Sequence, residues 1–128
     1  LMDGPDERII PGNALAMMAT KPFTSASVFG SGFLNRFECA QLPSELLKTI
    51  TLIDSPGILA GEAQSVNRGY DFNKVIGWFA GRADRIMLLF DAHKLDISDE
   101  FKAALQEIKR HEDKVRPHRA EQLMDNCH

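Results

Sequence analysis

At 128 residues the chain amounts to one domain or a piece of one. Its 44% apolar content can fill a core, and 26% charged residues is ordinary for a soluble protein. A net charge of −3 with no basic block gives no nucleic-acid footprint. No apolar run reaches the roughly 18–20 residues of a spanning helix, so no transmembrane segment is expected; a local membrane-binding patch stays open. The two cysteines, Cys39 and Cys127, lack metal-ligand spacing, and a reducing, intracellular setting is the default. The chain opens at Leu1 with neither an initiator methionine nor a signal-peptide pattern, and reads as a segment cut from something longer.

Residues 1–13 are rich in turn residues, with Gly4-Pro5 and Pro11-Gly12-Asn13 as punctuation. Ala14 to Met18 reads as a short apolar strand, and Lys21-Pro22-Phe23 as a loop that sets an aromatic beside a stiff proline. From about Ser27 to Ala40, phenylalanines at 29, 33 and 37 recur every four residues and predict one apolar helical face. Gly30 and Gly32 weaken its first turn. This stripe is expected to be core rather than a ligand-binding cage. Ser44, after Pro43, can cap a short helix through Lys48.

The run Ile50-Thr51-Leu52-Ile53-Asp54 is β-branched and apolar, and breaks into Ser55-Pro56-Gly57. It predicts a buried strand that delivers one carboxylate to a sheet edge and then turns. A loop is expected from Ser55 to about Gly69. Tyr70 to Arg82 predicts an amphipathic helix with Val75, Ile76, Trp78 and Phe79 as core. Arg85 to Asp91 is a continuous apolar run, the pattern of a strand buried on both faces. Ser98 caps a following helix whose first turn carries Asp99 and Glu100, with Phe101, Leu105 and Ile108 inward. Strands 50–54 and 85–90, joined by the 70–82 helix, predict a βαβ unit in a mainly parallel sheet. Beyond Arg116, Pro117-His118-Arg119 excludes a central strand, and residues 117–128 are expected to be a divergent tail.

A strand ending in Asp before a Pro-Gly turn is how P-loop nucleotide hydrolases build the Mg²⁺ side of their site. Simple turn chemistry can give the same pattern. The neighbouring segments narrow the reading. Upstream stand Pro11-Gly12-Asn13-Ala14-Leu15, Lys21-Pro22-Phe23, Phe33-Leu34-Asn35-Arg36-Phe37 and Cys39-Ala40-Gln41-Leu42-Pro43. Downstream follow Arg68-Gly69-Tyr70-Asp71-Phe72, Leu89-Phe90-Asp91-Ala92-His93-Lys94-Leu95, Ile97-Ser98-Asp99-Glu100-Phe101 and His111-Glu112-Asp113-Lys114. In this order, over residues 2–116, they closely resemble the nucleotide-binding domain of the EH-domain-containing (EHD) ATPases, dynamin-superfamily proteins that remodel membranes in endocytic recycling.

The resemblance implies an α/β fold, the central part of a P-loop, dynamin-type domain, with ATP and Mg²⁺ as the family's cofactors. It implies homo-oligomers and membrane lipid as partners, and a cytoplasmic protein peripheral on endosomal or plasma membrane. Asp54, Ser55, Pro56 and Gly57 match the switch II motif, in which Asp54 reaches Mg²⁺ through a water and the Gly57 N–H faces the γ-phosphate. Ser55 stands where the family usually has threonine and keeps the hydroxyl. Lys21, Pro22 and Phe23 match a mobile loop implicated in assembly and membrane recruitment; Phe23 packing on its own domain is the other reading.

Two of the family's nucleotide-binding parts are missing from the sequence. It contains no Gly-x-x-x-x-Gly-Lys-Ser/Thr, and no Asn-Lys-x-Asp follows Arg116. The isolated chain is therefore expected neither to bind ATP tightly nor to hydrolyse it. A frameshift, retained intron or alternative exon would account for residues 117–128. The alternatives to a segment of an ATPase are a truncated interaction module that binds full-length partners, and an incomplete gene model that does not fold alone. The histidines at 93, 111, 118 and 128 match no zinc template. Ser55 and His93 lack the elbow of a serine hydrolase. Asp91, at a strand end like Asp54, either lines the nucleotide cleft or caps its own loop.

Overall fold

Alternation decides the first sheet. Glu38 to Leu42 form a strand whose Cys39 and Gln41 are buried while Glu38 is exposed. In the computed structural model, which describes residues 1–57, 68–90 and 98–119, this segment is the central strand β3 of three. On one side β1 (Met2–Asp3) runs parallel to it, with Met2 opposite Gln41. On the other, β2 (Arg8–Pro11) runs antiparallel, with Ile10 opposite Cys39. Gln41 sits inside this sheet at 3% exposure, and its amide is satisfied on both sides. Its Nε2 donates to the Asp3 carbonyl at 3.0 Å, and Arg8 Nε donates to its Oε1 at 2.8 Å. A buried amide with both ends paired avoids the desolvation penalty of an orphan and ties β1, β2 and β3 in one register.

Between β2 and β3 the chain packs a helical layer. Helix α1 (Gly12–Met17) begins directly after Pro11 and buries Leu15 completely. The strand expected at Ala14–Met18 is thus a helix: Ala, Leu and Met are strong helix formers, and no neighbouring strand competes for them. A 3₁₀ segment (Thr24–Phe29) and the short helix α2 (Gly30–Leu34) follow. The expected continuous helix over 27–40 is broken twice. Gly30 takes φ +77, ψ 176, a region that L side chains avoid. Residues 38–40 are taken by the sheet, where backbone pairing outweighs the four-residue phenylalanine spacing.

The phenylalanine stripe still forms core. Phe33 stacks on Phe37 at 5.2 Å and meets Phe29 and Tyr70 edge-on at 5.5 and 5.4 Å. Edge-on and offset rings suit the aromatic quadrupole and add about 0.5–1.5 kcal/mol per pair beyond area burial. Residues 68–70 dock on α2 where Gly32 leaves room: a Cβ there would lie 2.4 Å from the Gly69 carbonyl oxygen. This first unit comprises residues 1–56 and 68–70.

The second unit takes the remainder. Helix α3 (Phe72–Arg82) is capped by Asp71, whose carboxylate accepts from the Lys74 N–H at 3.1 Å. Phe72, Val75 and Ala80 are buried, while Ile76, Trp78 and Phe79 are half-buried, a narrower core than the sequence predicts. Helix α4 (Asp99–Lys109) starts at Ser98, whose Oγ accepts from the Phe101 N–H at 3.2 Å, as expected. It buries Ala104 and Ile108, and its Glu107 approaches Gly77 of α3. Lys114 Nζ donates to the Ala80 and Gly81 carbonyls at 3.3 Å, capping the negative end of α3.

Strands β4 (Ile86–Phe90) and β5 (Val115–Arg119) pair in parallel, Ile86 opposite Val115 and Phe90 opposite Arg119. A βαβ unit therefore exists, one step downstream of the expected one: β4, α4 and β5 form it. β5 runs through Pro117, opposite Leu88. Proline is excluded from a central strand, but β5 has a partner on one side only among the described residues, and an edge tolerates a missing N–H. β4 is not buried on both faces. Met87 and Leu89, two residues apart and so on one face of it, are 54% and 59% exposed. Among the described residues the sheets are small: the three-stranded one is mixed and the two-stranded one parallel, which neither establishes nor conflicts with the mainly parallel sheet expected.

The strand expected at 50–54 does not form either. Residues 50–57 are irregular and exposed, Ile50, Leu52 and Ile53 at 39%, 48% and 43%. Asp91, His93 and residues 120–128, with Cys127 and His128, lie outside the described residues. Among those described, no helix is long and apolar enough to cross a membrane.

Two outcomes follow from the packing. Gly32→Ala lowers the unfolding free energy by about 1–3 kcal/mol through backbone overlap at Gly69, whereas Gly81→Ala, whose new Cβ meets only His111 at 3.9 Å, is neutral or stabilising; urea unfolding followed by circular dichroism separates them. The Lys74 N–H bond to Asp71 is the largest influence on its carboxyl and, with the Lys74 side chain beside it, holds it below its usual range although burial opposes the shift. A depressed carboxyl contributes stability above its unfolded pKa and loses it as pH falls through the folded one. The margin of the wild type over Asp71→Asn, present at pH 6, therefore closes below about pH 4 in urea midpoints.

Candidate functional site: the Asp54–Gly57 turn

Asp54 owes its position to the chain before it. Lys48 N–H donates to Ser44 O and Ile50 N–H to Leu46 O, both at 3.2 Å, so residues 44–50 close a hydrogen-bonded turn. Leu47 is buried beneath it, and Thr49 Oγ1 adds a bond to Leu46 O at 2.9 Å. The chain leaves this turn extended. At Leu52 it meets Leu1, and the two exchange both main-chain bonds: Leu1 N donates to Leu52 O at 2.6 Å, and Leu52 N to Leu1 O at 3.0 Å. Such a reciprocal exchange is one rung of an antiparallel ladder. The pairing does not extend into a described strand.

Two residues beyond that rung, Asp54, Ser55, Pro56 and Gly57 are all exposed. A Cβ built on Gly57 would meet nothing within 4 Å among the described residues. The carboxylate stands in no group of three His, Cys, Asp or Glu able to hold a metal among the described residues. One carboxylate fits Mg²⁺ only as a single partner in a shell completed by waters and phosphate oxygens. The described protein groups therefore do not make a metal cage at Asp54.

Lys21, Pro22 and Phe23 occupy another part of the first unit, between α1 and the 3₁₀ segment. Lys21 N–H donates to Met18 O at 3.0 Å, and the Phe23 carbonyl accepts from Ala26 N–H at 2.9 Å. Lys21 is half-buried and Pro22 exposed, but Phe23 is 5% exposed and meets Phe37 edge-on at 5.4 Å. Of the two readings of Phe23, packing on its own domain is the arrangement seen.

The most thoroughly built polar surroundings belong to a residue that sequence reasoning did not single out. Gln41 bridges Asp3 and Arg8 inside the first sheet. One amide flanked by Cys39, Ala40 and Leu42 was the available signal. Nearby, an open cleft of about 500 Å³ lies between residues 3–5 and 43–45, with Lys48 at its wall. There the Asp3 carboxylate accepts from the Ser44 N–H at 3.4 Å. This is turn chemistry: the lining presents no nucleophile paired with a base.

Comparison with known proteins places the sequence. No protein-family model matches it. It is 58% identical over 116 residues to EH domain-containing protein 1 of Homo sapiens, and equally to that of Bos taurus. To EH domain-containing protein 3 of Homo sapiens it is 60% identical over 116 residues. Each alignment takes in 91% of this chain and 22% of the relative, so the chain spans about a fifth of the length of the curated relatives it matches. With that identity along nine-tenths of its residues, the chain belongs to the EH domain-containing protein family.

Proposed function

We propose that the chain is part of the nucleotide-binding domain of an ATP-hydrolysing, membrane-remodelling protein of endocytic recycling, and that alone it does not run the reaction. The observation that carries the first half is the 58–60% identity to EH domain-containing proteins 1 and 3, joined to the ordered motifs around Asp54-Ser55-Pro56-Gly57. In this reading the domain is dynamin-type, its partners are other copies and membrane lipid, and it works at the cytoplasmic face of endosomal or plasma membrane. Bound Mg²⁺ and ATP would supply the charge and the transferred phosphoryl group. Asp54 would hold a metal-bound water, the Gly57 N–H would donate toward the terminal phosphate, and Ser55 would supply the hydroxyl of the turn. Such sites act by positioning and electrostatic stabilisation rather than through a covalent intermediate.

The second half rests on the turn itself. Asp54 to Gly57 stand exposed on an irregular segment, and the sequence holds neither a glycine-rich phosphate loop nor an Asn-Lys-x-Asp motif. A carboxylate whose direction no sheet sets loses the pre-organisation from which such sites draw their effect.

The Lys21–Phe23 loop carries the alternative, a non-catalytic module that binds full-length relatives. Phe23 is in the core, so docking would use the accessible Lys21 and Pro22, or require Phe23 to leave Phe37.

Two measurements test these readings. Titration of the purified chain with labelled ATP and Mg²⁺ is expected to give no micromolar binding, and Asp54→Ala no change; micromolar affinity lost in that variant would overturn the inactive reading. For the loop, the double substitution Lys21→Glu with Pro22→Ser should abolish co-purification with a full-length relative at an unchanged thermal midpoint. Retained co-purification would remove the loop from the interface.

A further inference from the structure

We draw no further inference here: the strongest candidate, the uncovered face of strand β4 in the second unit with Met87 and Leu89 exposed, carries nothing because nothing in the structure shows what covers it.

Discussion

Backbone pairing is the constraint on which both the fold and the site depend. An apolar strand buries its side chains only when its N–H and C=O groups find partners along their length. β3 meets that condition, with β1 on one side and β2 on the other, and its Cys39 and Gln41 are buried. Ile50 to Asp54 have a composition at least as suited to a strand, yet among the described residues the cross-chain backbone pairing there is that of Leu52 with Leu1. Ile50, Leu52 and Ile53 consequently keep between 39% and 48% of their surface in solvent. Composition proposes a strand; neighbours decide it.

That difference reaches the chemistry. A carboxylate at the end of a buried strand has its direction set by the sheet, and a turn after it presents its N–H groups at a fixed place. Asp54 follows a segment that is not a strand among the described residues, so no sheet there sets its direction. The Phe23 loop shows the opposite balance. Its aromatic is held by Phe37 within a cluster centred on Phe33, and leaving would expose a ring worth about 1.5–3 kcal/mol of burial. A role for that ring at an interface would have to recover this energy in the new contact.

What could be read from the sequence was the local chemistry. Ser98 caps α4 as expected, because a cap needs only its own side chain and an N–H three residues on; Asp71 does the same for α3, a cap the sequence reading did not name. Of the phenylalanines at 29, 33 and 37, Phe33 is core and Phe29 and Phe37 are half-buried against it. Family membership was legible too, because ordered motifs survive in sequence whatever their geometry. Non-local pairing was not. The Phe33–Phe37 spacing drew Cys39 and Ala40 into a helix, when alternation around Gln41 marked a strand. The apolar run Ala14 to Met18 reads as a strand by composition, whereas the propensities of its Ala, Leu and Met favour the helix found through Met17. At Pro117 the rule for central strands is sound, but among the described residues β5 lies at an edge. For the candidate site, residue identities were readable and their support was not.

Amide hydrogen exchange read residue by residue tests the central claim most directly, that Asp54 and its turn are not fixed by a sheet in this chain. The account predicts slow exchange at Cys39, Ala40 and Gln41 in β3, and exchange near the unprotected rate at Thr51, Ile53, Asp54 and Ser55. Protection at Thr51, Ile53 and Asp54 matching that of the β3 amides would contradict it.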